Sequence, residues 1–248
     1  MNAGQDAAGK AEPGAWEYAA PPTAYDRIRD NAFARACRRL VHLAFRGSMR
    51  WYHGLRVIGR ERVLDCGPCI ITPNHTSHLD CLAVFAALPW REVNRTYSAA
   101  AKDYFFEHAA LAVIARMVAN GIPLDRTGGD PRGLRLCARK LKAGGRVIMF
   151  PEGTRTRTGG VCGFKPGAAA LARGLRVPVV PTYLQGTFES LSRFQWFPRP
   201  RRIVVSFGEP LRFWEGELAG LDHAAAALVL ESRVRALGAR LGEEERRT

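Results

Sequence analysis

Phe33, Ala36, Cys37, Leu40, Val41, Ala44 and Phe45 recur at steps of three and four, while Arg35, Arg39, His42, Arg46 and Arg50 fill the opposite side. That period predicts an amphipathic helix from Asp26 to about Arg50. Beyond it the period changes. Short apolar or alternating runs at Leu55–Val63, Cys69–Thr72, Thr96–Ala100, Ile122–Leu124, Arg146–Phe150, Val177–Tyr183 and Arg202–Phe207 predict strands. Helical patterns fall between and after them, at Leu79–Ala87, Phe105–Ala119, Pro131–Ala143, Ala168–Arg173 and Asp222–Leu241. The alternation predicts an α/β fold: a single domain with a mixed, largely parallel sheet flanked by helices, preceded by the amphipathic helix. Chemistry then belongs where strands end and helices begin.

The same pattern divides the chain. Residues 1–24 hold Ala, Gly and Pro with almost no bulky aliphatics and read as a disordered lead. Residues 25–54 carry the basic helix, 55–215 the α/β domain, and 216–248 a C-terminal helix whose charged end, Gly242–Thr248, is expected to fray. Pro178 and Pro181 bracket the run Val177–Thr182 and predict an edge strand or a shaped wall, because proline cannot donate to a central ladder.

Charge narrows the partners. Lys and Arg outnumber Asp and Glu by 37 to 23, a formal charge of +14. Such an excess suits nucleic acid, an anionic membrane surface or phosphorylated substrates. No zinc finger, helix-turn-helix or stacking platform accompanies it, so nucleic acid is not expected. Six cysteines at irregular spacing are too few for a disulfide scaffold. Cys66 and Cys69 form a C-x-x-C that leads into a strand instead of opening a helix, which favours inert thiols. The N-terminus lacks the pattern of a secretory signal. The runs Leu82–Trp90 and Ala109–Ala115 fall short of the roughly 18–20 apolar residues that span a bilayer. A helix with one apolar and one Arg-rich face either lies in a membrane interface or packs on the core with its arginines in water.

Candidate chemistry begins in "ITPNHTSHLD", residues 71–80. His75 follows a strand end, Thr76 or Ser77 is available to cap the next helix, and Asp80 lies in that helix's first turn. A carboxylate holding one imidazole nitrogen presents the other as a base. His78 is two residues from Asp80, a spacing that points side chains apart on a helix, so geometry favours His75. A metal site would need a third convergent ligand, which the spacing does not supply. A second turn, "FPEGTRTRTGG" at 150–160, follows a strand with Glu152, Gly153, Thr154 and Arg155, and its arginines suit phosphate oxygens. "GIPLDR" at 121–126 ends a further strand in Arg126.

Taken in order, His75-x4-Asp80, Gly121–Arg126, Phe150–Arg155 and Val177–Pro181 resemble the four-block signature of the glycerolipid acyltransferases, across roughly residues 55–210. "AAAKDYFF" at 99–106 and "FKPGAAALA" at 164–172 are also similar to that family. The resemblance implies that His75 acts as general base on a lysolipid or glycerol hydroxyl, with Asp80 supporting its imidazole. It implies that Arg126, Glu152, Gly153, Thr154 and Arg155 bind the acceptor's glycerol-phosphate head, and that Pro181 shapes the donor side. No metal or cofactor is implied. Acyl-CoA or acyl-carrier protein serves as co-substrate, a lysophospholipid as acceptor, and the basic helix would hold a peripheral enzyme to the anionic cytoplasmic face of the membrane. Exchange of Asp80 for Ala is expected to cripple turnover with little loss of fold.

Overall fold

The structure, a computed structural model, describes residues 32–101, 120–125, 131–192 and 195–247. In chain order the elements are α1 (Ala32–Trp51), β1 (Arg56–Ile58), α2 (Arg60–Asp65), β2 (Ile70–Pro73), α3 (Asp80–Ala87), β3 (Thr96–Ala101), β4 (Gly121–Leu124), α4 (Arg132–Lys142), β5 (Arg146–Ile148), α5 (Gly167–Leu175), β6 (Val179–Gln185), α6 (Thr187–Ser190), β7 (Val204–Phe207), α7 (Gly216–Ala219) and α8 (His223–Arg247). A 3-10 turn at Val93–Arg95 leads into β3. The strands form one seven-stranded sheet in the order β1-β7-β6-β2-β5-β3-β4. Every pairing is parallel except β6 with β7.

Both faces of the sheet are covered, which is why its strands read as continuous apolar runs. On one face Ile70, Val147 and Val179 pack with Cys137 and Leu141 of α4, Ala169 and Ala172 of α5, and Ala226 and Leu230 of α8. On the other, Ile71, Ile148 and Val180 pack with Met49 of α1, Val63 of α2 and Ala83–Ala87 of α3. The single mixed, largely parallel sheet with flanking helices agrees with the expectation from sequence. All six cysteines are free thiols, Cys69 buried and Cys66 half-buried.

Three elements differ from the sequence reading. The run Leu55–Val63 is a strand only over Arg56–Ile58, because Gly59 at φ 71° turns the chain into α2. A side chain there would sit 2.4 Å from the carbonyl oxygen of Phe207. Secondly, β6 is no edge: it lies between β2 and β7. Its register with the following chain slips by one residue between Thr182↔Phe207 and Val179↔Leu211. Pro181 sits at that bulge, where its carbonyl accepts the N–H of Gly208 and no donor is required of it. Thirdly, α8 continues to Arg247 instead of fraying from Gly242, with Leu241 buried and Glu244 paired to Arg56 of β1 at 3.2 Å. The lead 1–24, the start of the basic helix at 26–31 and the helix expected at 105–119 lie outside the described residues.

α1 presents the larger surprise. Arg38 and His42 face inward and are 2% and 5% exposed, while Phe33, Leu40 and Leu43 are 74%, 67% and 50% exposed. Arg38 donates to Asn94 Oδ1 at 2.9 Å. Arg46 donates to the Leu88 carbonyl at 2.9 Å, and Arg60 of α2 donates to the Ala87 carbonyl at 2.6 Å, so two guanidinium groups serve the C-terminal end of α3. Burial, with the neighbouring Arg46, pushes the His42 imidazole down to about 4. No helix among the described residues is long and apolar enough to cross a membrane.

Candidate active site

β6, β2 and β5 are adjacent and parallel, so their carboxyl ends open on one side of the sheet. The segment after β2 is shaped there by its own polar side chains. Asn74 extends the ladder through its amide, accepting the N–H of Leu184 at 2.7 Å and donating to the Leu184 carbonyl at 3.2 Å. The Ser77 hydroxyl donates to the Leu191 carbonyl at 2.5 Å and accepts the N–H of Leu79 at 3.0 Å. Thr76 shares a 3.0 Å hydroxyl contact with Thr187 of α6. These bonds bend the chain so that Asp80, the first residue of α3, turns back on the loop before it.

Asp80 is fully buried. Its Oδ2 accepts the backbone N–H groups of Thr76 at 2.6 Å and Ser77 at 2.7 Å, and lies 2.9 Å from Nδ1 of His75. A carboxylate in that position only accepts, so Nδ1 carries the imidazole proton and Nε2 keeps its lone pair. The His75 side chain is 22% exposed, and its ring stacks on Phe150 with centroids 4.0 Å apart and planes 24° apart.

The loop after β5 clamps His75 by its backbone as well. Oε1 of Glu152 accepts the His75 N–H at 2.8 Å, and the Thr156 N–H donates to the His75 carbonyl at 2.9 Å. Oε2 of Glu152 accepts the Cys162 N–H at 3.3 Å. Burial pushes the Glu152 carboxyl up to about 7, opposed by these two N–H donors and reinforced by the charge of Asp80. Glu152 thus directs both oxygens at backbone, and it braces the loop that carries His75.

Cations gather beside this brace. Gly153 has φ 72°, and a side chain on it would meet Nζ of Lys165 at 3.1 Å, so the ammonium lies over the turn. Arg155, half-buried, contacts Nε2 of the exposed His78; a guanidinium can only donate, so the imidazole nitrogen accepts. Thr154 and Arg157 are exposed on the same loop. His78 therefore faces a cation and does not converge on Asp80 with His75. Among the described residues no group of three His, Cys, Asp or Glu side chains is arranged to hold a metal ion.

Of the residues expected from sequence, His75, Glu152, Gly153, Thr154 and Arg155 occupy the two neighbouring loops, and Asp80 begins the helix that follows the first. Arg126 lies outside the described residues, and the strand before it, β4, is separated from β2 by β5 and β3. Pro181 lies opposite Thr72 of β2 and lines a cleft of about 200 Å³ against α8, with Glu209, Leu211, Arg233, Leu237 and Arg240. Lys165, Thr156 and the stacked Phe150 were not anticipated as site residues, although all three stand inside motifs already noted. Asn74 and Thr187 carried no local signal, since each acts on a partner about 110 positions away.

The acyltransferase family model matches residues 54–185. A chloroplastic 1-acyl-sn-glycerol-3-phosphate acyltransferase of Brassica napus is 34% identical over 124 residues, covering 48% of this chain and 33% of the relative. The alpha form from Mus musculus is 32% identical over 168 residues, covering 65% and 57%. The chain thus spans about a third to just over a half of the length of these relatives. Among solved structures, the 1-acyl-sn-glycerophosphate acyltransferase PlsC of Thermotoga maritima has the same fold, with a TM-score of 0.64 at 24% identity over 87% of this chain and 86% of that one.

Proposed function

The chain belongs to the acyltransferase family, and we propose that it transfers a fatty acyl group from an acyl thioester to the free hydroxyl of a 1-acylglycerol 3-phosphate, giving phosphatidic acid. The donor is acyl-CoA or acyl-carrier protein. The observation that carries this reading is the His75–Asp80 pair, with Nε2 of His75 left as the basic nitrogen one loop away from Arg155 and Lys165.

An alcohol is a poor nucleophile near neutral pH, so proton removal and positioning are what the step needs. Nε2 of His75 takes the hydroxyl proton as the oxygen attacks the thioester carbonyl. Asp80, already held by two backbone N–H groups, stabilises the imidazolium without moving. Collapse of the tetrahedral adduct breaks the carbon–sulfur bond, and the imidazolium returns its proton to the leaving thiolate. The step forms no acyl-enzyme and requires no metal. Arg155 and Lys165 neutralise the acceptor phosphate, and Glu152 and Thr156 hold the height of the His75 backbone.

The exposed Phe33, Leu40 and Leu43 of α1 support a peripheral seat on an anionic membrane surface, where both lipids reside. The direct test measures thiol release from acyl-CoA with a panel of acceptors. Release with 1-acylglycerol 3-phosphate that disappears in His75→Ala is expected. No release with any glycerophosphate or lysolipid, or equal rates for His75→Ala, sinks the proposal. Preference for glycerol 3-phosphate or a headgroup-bearing lysolipid would keep the dyad and replace the acceptor.

A further inference from the structure

Among the described residues between α6 and β7, two large aromatic side chains stand that nothing in the candidate active site uses. Trp196 is 93% exposed and Phe197 83% exposed. Arg199, Arg201 and Arg202 follow and are exposed too. From residue 190 to 208 the sequence holds four arginines and no acidic residue.

Exposure here is not looseness. The Arg199 N–H donates to the Ser190 carbonyl at 2.8 Å, and the Ser190 hydroxyl returns a bond to the Arg199 carbonyl at 2.9 Å. The Ser192 N–H is held by Oε1 of Gln195 at 3.1 Å. The Ile203 N–H donates to the His53 carbonyl at 2.9 Å, and Pro198 and Pro200 stiffen the span between. The loop also touches the end of α1: the Tyr52 hydroxyl donates to the Pro198 carbonyl at 3.0 Å. Trp51, the last residue of α1, is 88% exposed, and Tyr52 is 48% exposed. The exposed side of α1 therefore runs on into the loop through a fixed hydrogen bond.

Large aromatics flanked by arginines are the chemistry of the boundary between headgroups and acyl chains. We propose that residues 195–202 form a second lipid-contact element. Trp196 and Phe197 enter the headgroup boundary of an anionic bilayer while Arg199, Arg201 and Arg202 lie against lipid phosphates. This inference rests on the membrane-surface reading of α1. With both elements engaged the molecule meets the bilayer at two points and its orientation is set. With α1 alone it could roll about the helix axis.

The 248-residue chain and its variants are titrated with vesicles of phosphatidylcholine, with and without phosphatidylglycerol, and the bound fraction is read by sedimentation. Trp196→Ser/Phe197→Ser is expected to lower partitioning onto anionic vesicles at least about tenfold. Arg199→Ser/Arg201→Ser/Arg202→Ser is expected to lower it about fivefold per arginine on anionic vesicles and not on neutral ones. Phe33→Ser/Leu40→Ser serves as the α1 control. All these side chains are exposed, and thermal melts matching wild type establish that the variants fold. If the aromatic pair can be removed without loss while the α1 control is released, the loop is no contact and the membrane reading of α1 stands. A wild type that ignores anionic vesicles overturns both. Loss of self-association without lipid, with vesicle binding unchanged, makes the loop an interface between copies and overturns the proposal.

Discussion

Oε1 of Glu152 accepts the backbone N–H of His75 at 2.8 Å, joining residues 77 positions apart at the ends of adjacent strands. The contact ties the position of His75 to a carboxyl that burial holds up to about 7, against an ordinary value of 4.5. Between those two values the folded protein keeps a proton that the unfolded chain has lost. The group's stabilisation is thus complete below about pH 4.5 and is lost as pH rises through about 7, a total of about 3 kcal/mol. Glu152→Gln retains an acceptor for His75 and removes the titration. Denaturant unfolding at intervals from about pH 5 to about pH 8 should give a slope shallower by ~2–3 kcal/mol over that range. A variant with the wild-type slope would contradict the assignment.

His75 and Asp80 separate by their effect on folding. His75→Ala should lower turnover about a thousandfold, within the usual span for a general base, and leave the melting temperature unchanged. Asp80→Ala should lower turnover as much and also cost about 3 kcal/mol or more of stability. Two buried N–H groups and an imidazole lose their acceptor together. This departs from the expectation drawn from sequence, where Asp80 had only His75 to serve. Paired melts and rate measurements decide it, and an Asp80→Ala protein with wild-type stability would show that the loop finds other partners.

Arg155→Ala should raise the acceptor KM about tenfold to a hundredfold, as expected for a lost charge-assisted phosphate contact, with a smaller change in kcat. A monoacylglycerol acceptor, which lacks the phosphate, should show no such rise. His78→Ala should move the same KM about threefold, because His78 touches Arg155 and acts through it. An unchanged KM in Arg155→Ala would remove the phosphate assignment.

Removing residues 1–50 is a poor test of the membrane seat, since Met49, His42 and Arg38 belong to the packed core. Phe33→Ser/Leu40→Ser alters only exposed positions. It should release the protein from anionic vesicles with no change in melting temperature, measured by sedimentation and thermal unfolding. Retained binding would return α1 to the role of a packing helix.

His42 gives a second pH signature, of opposite sign. Its imidazole is held down to about 4 by burial and by Arg46, so its contribution is present above about pH 6.5 and lost as pH falls through about 4. His42→Gln should flatten the acid limb of the stability curve, read by a denaturant series extended down to about pH 4. An unaltered acid limb would place that limb elsewhere.

The centre of the sheet was legible in the sequence because β2 and β6 are buried on both faces, and the physics of burial writes itself as continuous apolar runs. The dyad was legible because a strand end, a polar turn and a first-turn aspartate are all local. The face of α1 was not. Periodicity says that two faces exist, and it says nothing about which one a protein core will take. Arg38 goes inward because Asn94 awaits its guanidinium, and no spacing in the chain announces that pairing. The role of Glu152 was hidden for the same reason, its partners being a backbone N–H 77 positions away and another ten residues on. Pro181 misled because the rule against prolines in ladders assumes an unbroken register. The slip beside Gly208 exists only once β6 and the chain after β7 have met.

Asp80 is both the hydrogen-bond partner of the His75 imidazole and the anchor of the turn that begins α3. Random change would therefore not silence this protein evenly. Substitution at position 80 erodes the scaffold along with the chemistry and exposes the chain to degradation. Substitution at position 75 leaves the fold in place and removes only the Nε2 nitrogen proposed to take the acceptor's proton. A descendant that kept this architecture for binding alone would therefore be expected to have lost its histidine and retained its aspartate.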